Sequence, residues 1–147
     1  MSPDANSTMR ISYGKVIPYG NMSTTTSEYF IAMLSDSSNA YKSNEIFNTL
    51  LRNKDFGTYS KDTLFMNFVA TNQTSGGNSG SPVLDAEGSL VGVNFDRNWQ
   101  GVMSDFNYDE TYCRNISVDI RYILFCIEKY GHANNIIAEL TFKKNLK

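Results

Sequence analysis

Residues 76–82, with the sequence Gly-Gly-Asn-Ser-Gly-Ser-Pro, constrain the fold of this chain more than any other segment. The stretches before and after it, at 63–70 and 89–95, follow the period of two that is typical of β-strands. Glycine adopts the left-handed backbone conformations of tight turns without steric cost. The sequence therefore predicts a tight loop that is held between strands and presents Ser79.

The rest of the chain divides into predicted strands and helices. The predicted strands are 9–19, 63–70, 81–84, 89–95 and 114–118, and 85–88 joins two of them as a hairpin. The predicted helices are 44–52, with Ser43 as the N-cap, 117–130, with Gly131 as the terminating glycine, and the short segment 133–140, while 28–34 fits a strand or a helical turn. Strands followed by terminal helices favour a β-barrel closed by a helix.

Length and composition limit the class of protein. The 147 residues correspond to one domain, 1–147, and a hydrophobic content of 41% excludes wholesale disorder. Thirteen Lys and Arg residues against fifteen Asp and Glu residues give a formal net charge of -2, so binding to nucleic acid or to an anionic membrane is not expected. No apolar run reaches the ~18 residues of a transmembrane helix.

Two further features concern redox state and processing. Cys113 and Cys126 are too few for a disulfide framework or a metal site, so free, mostly buried thiols and no metal or cofactor are expected, with a bridge between the two as the alternative. The polar segment 1–10 has no apolar signal core. We therefore expect either a cytoplasmic protein or a chain cut from something longer.

The glycine-rich segment suits nucleophilic catalysis. A serine hydroxyl is a weak nucleophile, and acyl transfer also needs N–H donors aimed at the developing oxyanion. The segment resembles the Gly-Asx-Ser-Gly-x-Pro motif of chymotrypsin-like serine peptidases, which implies Ser79 as nucleophile and an oxyanion hole from the N–H groups of Gly77 and Ser79. An ordinary Gly/Ser turn is the alternative. Because Asn78 is neutral, activation by a newly cut N-terminus is not expected.

Opposite charges end the predicted strand that follows the hairpin. Asp96 and Arg97 could form an exposed ion pair of little energetic value. At the end of a strand that lines a substrate pocket, the planar guanidinium of Arg97 could instead hold a carboxylate. Asp96 could hold an ammonium group there.

Several segments resemble one family in particular. They are 2–10, 94–99, 103–105 and 114–125, and they are similar to the C-terminal region of bacterial serine-type dipeptidyl-peptidases. The resemblance implies a chymotrypsin-like double β-barrel with a helical insertion, of which this chain is the second barrel, mainly β with C-terminal helices. It implies Asp96 as the ligand of the substrate's α-amino group and Arg97 as the group that selects Asp or Glu before the scissile bond. It also implies a periplasmic or cell-surface location.

The single histidine does not complete a catalytic triad. His132 follows Ser79 in the chain and lies between two predicted helices, so we expect a surface or capping histidine. The family resemblance places the catalytic His and Asp upstream of the helical insertion. We therefore expect the C-terminal half of a peptidase, inactive alone, with a peptide substrate, the missing N-terminal half and a homodimer as partners. The alternatives are a glutamyl endopeptidase and a non-catalytic β-barrel interaction module.

Overall fold

A computed structural model describes residues 9–18, 20, 25–35 and 44–143 of the chain. Its helices are α1 (Ser27–Ser35), α2 (Glu45–Arg52), α3 (Ile120–Phe125) and α4 (Asn134–Glu139). Its strands are β1 (Asn67–Ala70), β2 (Pro82–Leu84), β3 (Leu90–Arg97) and β4 (Asn115–Asp119). A 3-10 helix spans Trp99–Asp105, and a π-helical turn spans Cys126–Tyr130.

The four strands form one antiparallel sheet in the order β1-β4-β3-β2. The predicted hairpin is present as β2 and β3, and both strands agree with the predicted segments to within two residues. Strand β3 lies between β2 and β4. Its register on β4 shifts between Asn94 and Asp96, so Phe95 is one extra residue in β3. Such a bulge bends the strand and redirects the side chains that follow it.

The predicted sheet and the predicted C-terminal helices are confirmed. The predicted strand at 9–19 is wrong over residues 9–18, and residue 19 lies outside the described residues. Only Val16 forms a bridge, to Ala70. Met9, Ile11 and Tyr13 are 84%, 80% and 91% exposed, so the described chain leaves these apolar side chains largely uncovered. An alternating pattern predicts a strand without specifying its partner.

The helix boundaries differ from the predictions for local reasons. The ambiguous segment 28–34 lies in α1. Ser43 lies outside the described residues, and Asn44 caps α2 by accepting a hydrogen bond from the N–H of Ile46 (2.9 Å). Helix α3 begins only at Ile120, because Asp119 still belongs to β4 and caps the helix with its side chain.

The C-terminal end of the predicted 117–130 helix is also different. The N–H of Gly131 donates to the carbonyl of Cys126 (2.8 Å), which closes a π-helical turn. Gly131 has φ −88°, and the left-handed residue is His132, with φ 51°. The wider turn holds one extra residue and displaces the left-handed position by one.

A small core lies where α2, α3 and the segment preceding β1 meet. Its fully buried members are Leu51, Phe56, Leu64 and Phe125. Phe47 adds edge-on ring contacts to Phe30, Phe125, Tyr122 and Tyr130. Cys113 and Cys126 are free, as expected, and no described helix is long and apolar enough to cross a membrane.

The core supports a stability prediction on α2. Leu51→Ala is expected to lower the free energy of unfolding of the 147-residue chain by about 2–5 kcal/mol, because Leu51 is fully buried and the surrounding rings cannot fill the cavity. Ile46 lies on the same helix and is 62% exposed, so Ile46→Ala is expected to change it by less than about 0.5 kcal/mol. Urea denaturation of both variants measures the difference. Equal losses would contradict this assignment of the core.

Candidate active site

The segment 75–81, here called the serine loop, consists of two successive turns. The N–H of Asn78 donates to the carbonyl of Ser75 (3.2 Å), and the N–H of Ser81 donates to the carbonyl of Asn78 (3.0 Å). The third residue of each turn is a glycine with positive φ, Gly77 at 87° and Gly80 at 85°. This is the position at which a type II turn favours glycine. The glycine spacing in the sequence therefore follows directly from the two turns.

The serine loop is attached to the end of β3. The N–H of Gly80 donates to the carbonyl of Asn94, and the N–H of Asn94 donates to the carbonyl of Ser81, both at 2.8 Å. Ser79 lies at the exposed tip, and its Oγ donates to the carbonyl of Phe95 at 3.4 Å. The hydroxyl is thus open to solvent and close to the bulge of β3.

Asn78 is engaged inside the serine loop. Its Oδ1 accepts hydrogen bonds from the N–H (2.9 Å) and the hydroxyl (3.3 Å) of Ser75. The amide therefore stabilises the first turn from within. The expectation that no new N-terminus pairs with this residue stays a prediction.

Arg97 lies against the start of the serine loop and is held by a carboxylate. Its guanidinium donates to both oxygens of Asp105 (2.6 and 2.8 Å), to Ser104 Oγ (3.2 Å) and to the carbonyl of Thr74 (3.0 Å). The side chain is only 19% exposed. Ser79 therefore contacts the end of β3 at Phe95, and Arg97 contacts Thr74, the residue directly before the serine loop.

The ion pair of Arg97 is not the one that the sequence suggested. Its carboxylate partner is Asp105, whereas the exposed Asp96 accepts a hydrogen bond from the backbone N–H of Arg97 (2.8 Å). The hydrogen bonds and charge of Arg97 outweigh the desolvation of the Asp105 carboxyl and lower its pKa. The 3-10 helix folds back the seven positions between Arg97 and Asp105, and this geometry has no signature in the sequence.

The lowered pKa predicts an acid-dependent contribution to stability. An Asp with a lowered folded-state pKa stabilises the fold above its ordinary pKa of about 3.9 and loses that contribution as pH falls through the folded-state pKa. The difference in unfolding free energy between the parent chain and Asp105→Asn is therefore expected to be constant above about pH 5 and to shrink in acid. Urea denaturation from neutral to acidic pH measures it. A difference that does not vary with pH would contradict the ion pair.

Comparison with known proteins assigns the family. The family model of peptidase S46 matches residues 1–142. The chain belongs to the peptidase S46 family. It is 43% identical over 145 residues to the Asp/Glu-specific dipeptidyl-peptidase of Flavobacterium psychrophilum and 41% identical over 152 residues to dipeptidyl-peptidase 7 of Porphyromonas endodontalis. These alignments cover 94% and 98% of this chain but 20% and 18% of the two relatives, so the chain spans about a fifth of their length.

A solved S46 structure has a similar fold. The crystal structure of Porphyromonas endodontalis DPP11 in complex with substrate matches with a TM-score of 0.83 and 38% identity. The match covers 95% of this chain and 22% of that one. The sheet and helices described above are therefore an arrangement that occurs within an S46 peptidase.

Two other features do not contribute to this candidate S46 site. His132 lies on the exposed turn between the π-helical turn and α4, as expected for a surface histidine. An open cleft of about 820 Å³ borders the serine loop, but its lining includes neither Ser79 nor Arg97. Among the described residues, no group of three or more His, Cys, Asp or Glu could hold a metal ion.

Sequence reasoning missed three residues near the serine loop. Asp105 holds Arg97, and Asn94 and Asn115 form a buried hydrogen-bonded pair beneath the loop. Asn94 and Asn115 had one signal in the sequence, which is an asparagine at a position where a strand is expected to be buried. A buried amide needs hydrogen-bond partners, so such a residue indicates a defined polar contact.

Proposed function

We propose that this chain is the part of an S46 serine-type dipeptidyl-peptidase that carries the nucleophile and the recognition groups, and that it forms the second barrel of a chymotrypsin-like pair. The reaction releases dipeptides from peptide N-termini, with Asp or Glu before the scissile bond. The observation that carries the proposal is the geometry of the serine loop. Two glycine turns present the Ser79 hydroxyl beside β3, and Arg97 contacts Thr74, directly before the same loop.

In this mechanism Ser79 Oγ attacks the second peptide carbonyl. The new Oγ–C bond forms as a general base takes the hydroxyl proton, and the carbonyl oxygen becomes an oxyanion held by the N–H groups of Gly77 and Ser79. The C–N bond then breaks, and the leaving amine takes the proton from the protonated base. Water releases the dipeptide from the acyl-enzyme by the same steps. His132 is not this base, so the base and its orienting acid come from outside this chain.

Substrate selection in the proposal uses the two charged residues at the end of β3. Asp96 is exposed and binds the free α-amino group, which fixes the distance from the N-terminus to the scissile bond. Arg97 binds the acidic side chain. The names of the relatives support this preference, since several are Asp/Glu-specific dipeptidyl-peptidases and one structure of DPP11 holds the dipeptide Arg-Asp.

The partners follow from the exposed apolar segment. Met9, Ile11 and Tyr13 present large apolar surfaces that suit an interface. The proposed occupant is the N-terminal half of the peptidase, which supplies the base and acid, and a second copy of the chain is the proposed alternative. By family resemblance, the whole protein is proposed to act in the periplasm or at the cell surface.

A peptide panel tests the proposal on the full-length protein. Peptides with a free amine and Asp or Glu at the second position are expected to lose a dipeptide at least about 100-fold faster than the same peptides with an acetylated amine, because Asp96 then lacks its ammonium partner. Mass spectrometry of the products measures the rates. Equal cleavage of acetylated peptides would indicate a glutamyl endopeptidase, and absence of cleavage would indicate an interaction module. Either result would overturn the proposal.

A further inference from the structure

A chain of buried polar side chains runs beneath the serine loop. Ser117 Oγ donates to Asn115 Oδ1 (3.1 Å), Asn115 Nδ2 donates to Asn94 Oδ1, and Asn94 Nδ2 donates to the main-chain carbonyl of Asn78 (2.8 Å). The three residues lie on the adjacent strands β3 and β4. Ser117 is 0% exposed, Asn115 is 3% exposed and Asn94 is 6% exposed. Burying polar groups is unfavourable unless they are hydrogen-bonded, and an apolar pair would fill such a site at lower cost.

The end of this chain acts on one peptide unit. The carbonyl of Asn78 accepts two hydrogen bonds, from Asn94 Nδ2 (2.8 Å) and from the N–H of Ser81 (3.0 Å). In a trans peptide the carbonyl and the following N–H point in opposite directions. Anchoring the Asn78 carbonyl toward the sheet therefore aims the N–H of Ser79 away from it.

The direction of that N–H matters for the proposed chemistry. In the described residues, the N–H groups of Gly77 and Ser79 donate to no protein acceptor, which leaves both available to an oxyanion. Rotation of the Asn78–Ser79 peptide would break both bonds to the Asn78 carbonyl and turn the Ser79 N–H away from the reacting carbonyl. Removal of a single oxyanion-hole donor costs roughly 10²–10³ in kcat in the well-studied serine peptidase case.

We propose that Asn94 is a positioning residue that fixes the Ser79 N–H in the oxyanion hole, and that Asn115 and Ser117 hold the Asn94 amide in its orientation. The inference rests on the proposed role of Ser79 as nucleophile. It assigns the buried amides a function in the transition state, because the bond from Asn94 reaches the peptide of the nucleophile itself.

Two variants of the full-length protein test this role. Asn94→Leu removes the donor at similar volume. Asn94→Asp retains an acceptor for Asn115 and replaces only the donating Nδ2 by an oxygen, which repels the Asn78 carbonyl and attracts the Ser79 N–H. Each is expected to lower kcat by at least about 30-fold with KM within about threefold, because the oxyanion forms only after substrate is bound. Labelling of Ser79 by a fluorophosphonate, whose phosphoryl oxygen occupies the hole, is expected to slow in parallel.

A matched control separates positioning from general destabilisation. Asn67 lies on β1 of the same sheet and accepts a hydrogen bond from the N–H of Thr25 (2.9 Å). Asn67→Leu is expected to keep kcat and the labelling rate within twofold. Folding of each variant is monitored by circular dichroism, and Asn94→Asp serves if Asn94→Leu does not fold.

The possible results distinguish this inference from the proposed function. If Ser79→Ala is inactive while a folded Asn94 variant retains kcat and labelling rate within threefold, the positioning role is wrong and the nucleophile stands. If Ser79→Ala retains activity, the proposed function itself is wrong. If an Asn94 variant lowers kcat and raises KM by the same factor, the inference is also wrong, because the effect is then structural. The same holds if Asn67→Leu lowers kcat as much as the Asn94 variants do.

Discussion

Replacing Ser79 with alanine is expected to lower the kcat of the full-length protein by at least about 10³-fold, because no other group then attacks the carbonyl. The residual rate would come from the oxyanion hole and from substrate binding alone. The change leaves the serine loop intact, since its turns depend on glycines and main-chain bonds rather than on the Ser79 hydroxyl. KM for an acidic peptide is therefore expected to stay within a few-fold.

Ser81→Ala is the matched control for this variant. Ser81 lies two positions further along the same loop, and the hydrogen bonds described for it use its main chain, which alanine retains. Its kcat is expected to stay within about threefold of the parent protein. Fluorophosphonate labelling is expected to disappear in Ser79→Ala and to persist in Ser81→Ala. The opposite pattern would move the nucleophile to Ser81 and would invalidate the mechanism proposed for the loop.

Replacing Arg97 with alanine is expected to slow the cleavage of acidic substrates selectively in the full-length protein. Hydrogen bonds between charged groups contribute about 1.5–3 kcal/mol, so kcat/KM for peptides with Asp or Glu at the second position is expected to fall by about 10- to 100-fold. Peptides with Leu at that position are expected to change by only a few-fold. Arg97→Lys keeps the charge but not the planar fork of donors. Its kcat/KM for acidic peptides is expected to lie between those of the parent protein and Arg97→Ala.

The proposed selectivity also depends on Asp105, because this carboxylate and the substrate carboxylate would both accept hydrogen bonds from the Arg97 guanidinium. Asp105 keeps Arg97 beside the serine loop, but it also competes with the substrate carboxylate for the same donors. Arg121 offers a matched control, since it forms a similar two-point ion pair with Asp119 on β4. Arg121→Ala is expected to leave the ratio of acidic to leucine substrates unchanged. An equal shift in both variants would indicate a general effect of lost ion pairs and would contradict a recognition role for Arg97.

The sequence alone predicted those parts of the fold whose conformation is determined by residues adjacent in the chain. The hairpin of β2 and β3 and the turns around Ser79 could be predicted because glycine positions and alternating residues determine them locally. The segment 9–18 shows where this reasoning ends. Its alternation is clear, yet its apolar side chains remain exposed and its one bridge is from Val16 to Ala70 in the described chain.

The parts that could not be predicted depend on contacts between distant positions. Asp105 reaches Arg97 only because the 3-10 helix reverses the chain after Asn98. Asn94 and Asn115 meet because Asn94 stands opposite Ser117, and Asn115 lies two positions from Ser117 on the same face of β4. Similarly, the π-helical turn at Cys126 adds a residue that no helical pattern in the sequence indicated.

The extra residue in β3 constrains how the selectivity of such a protein can diverge. Phe95 lies unpaired between two fixed pairs, because Asn94 stands opposite Ser117 and Asp96 stands opposite Ile116. Its carbonyl accepts the hydrogen bond from Ser79 Oγ, and the bend that it adds to β3 precedes the guanidinium. Losing this residue would keep Arg97 opposite Asn115 but would straighten the strand and move the recognition group relative to the nucleophile. Preference in this architecture can therefore diverge by exchanging side chains at fixed chain length, whereas insertions and deletions at this point would disturb both groups at once.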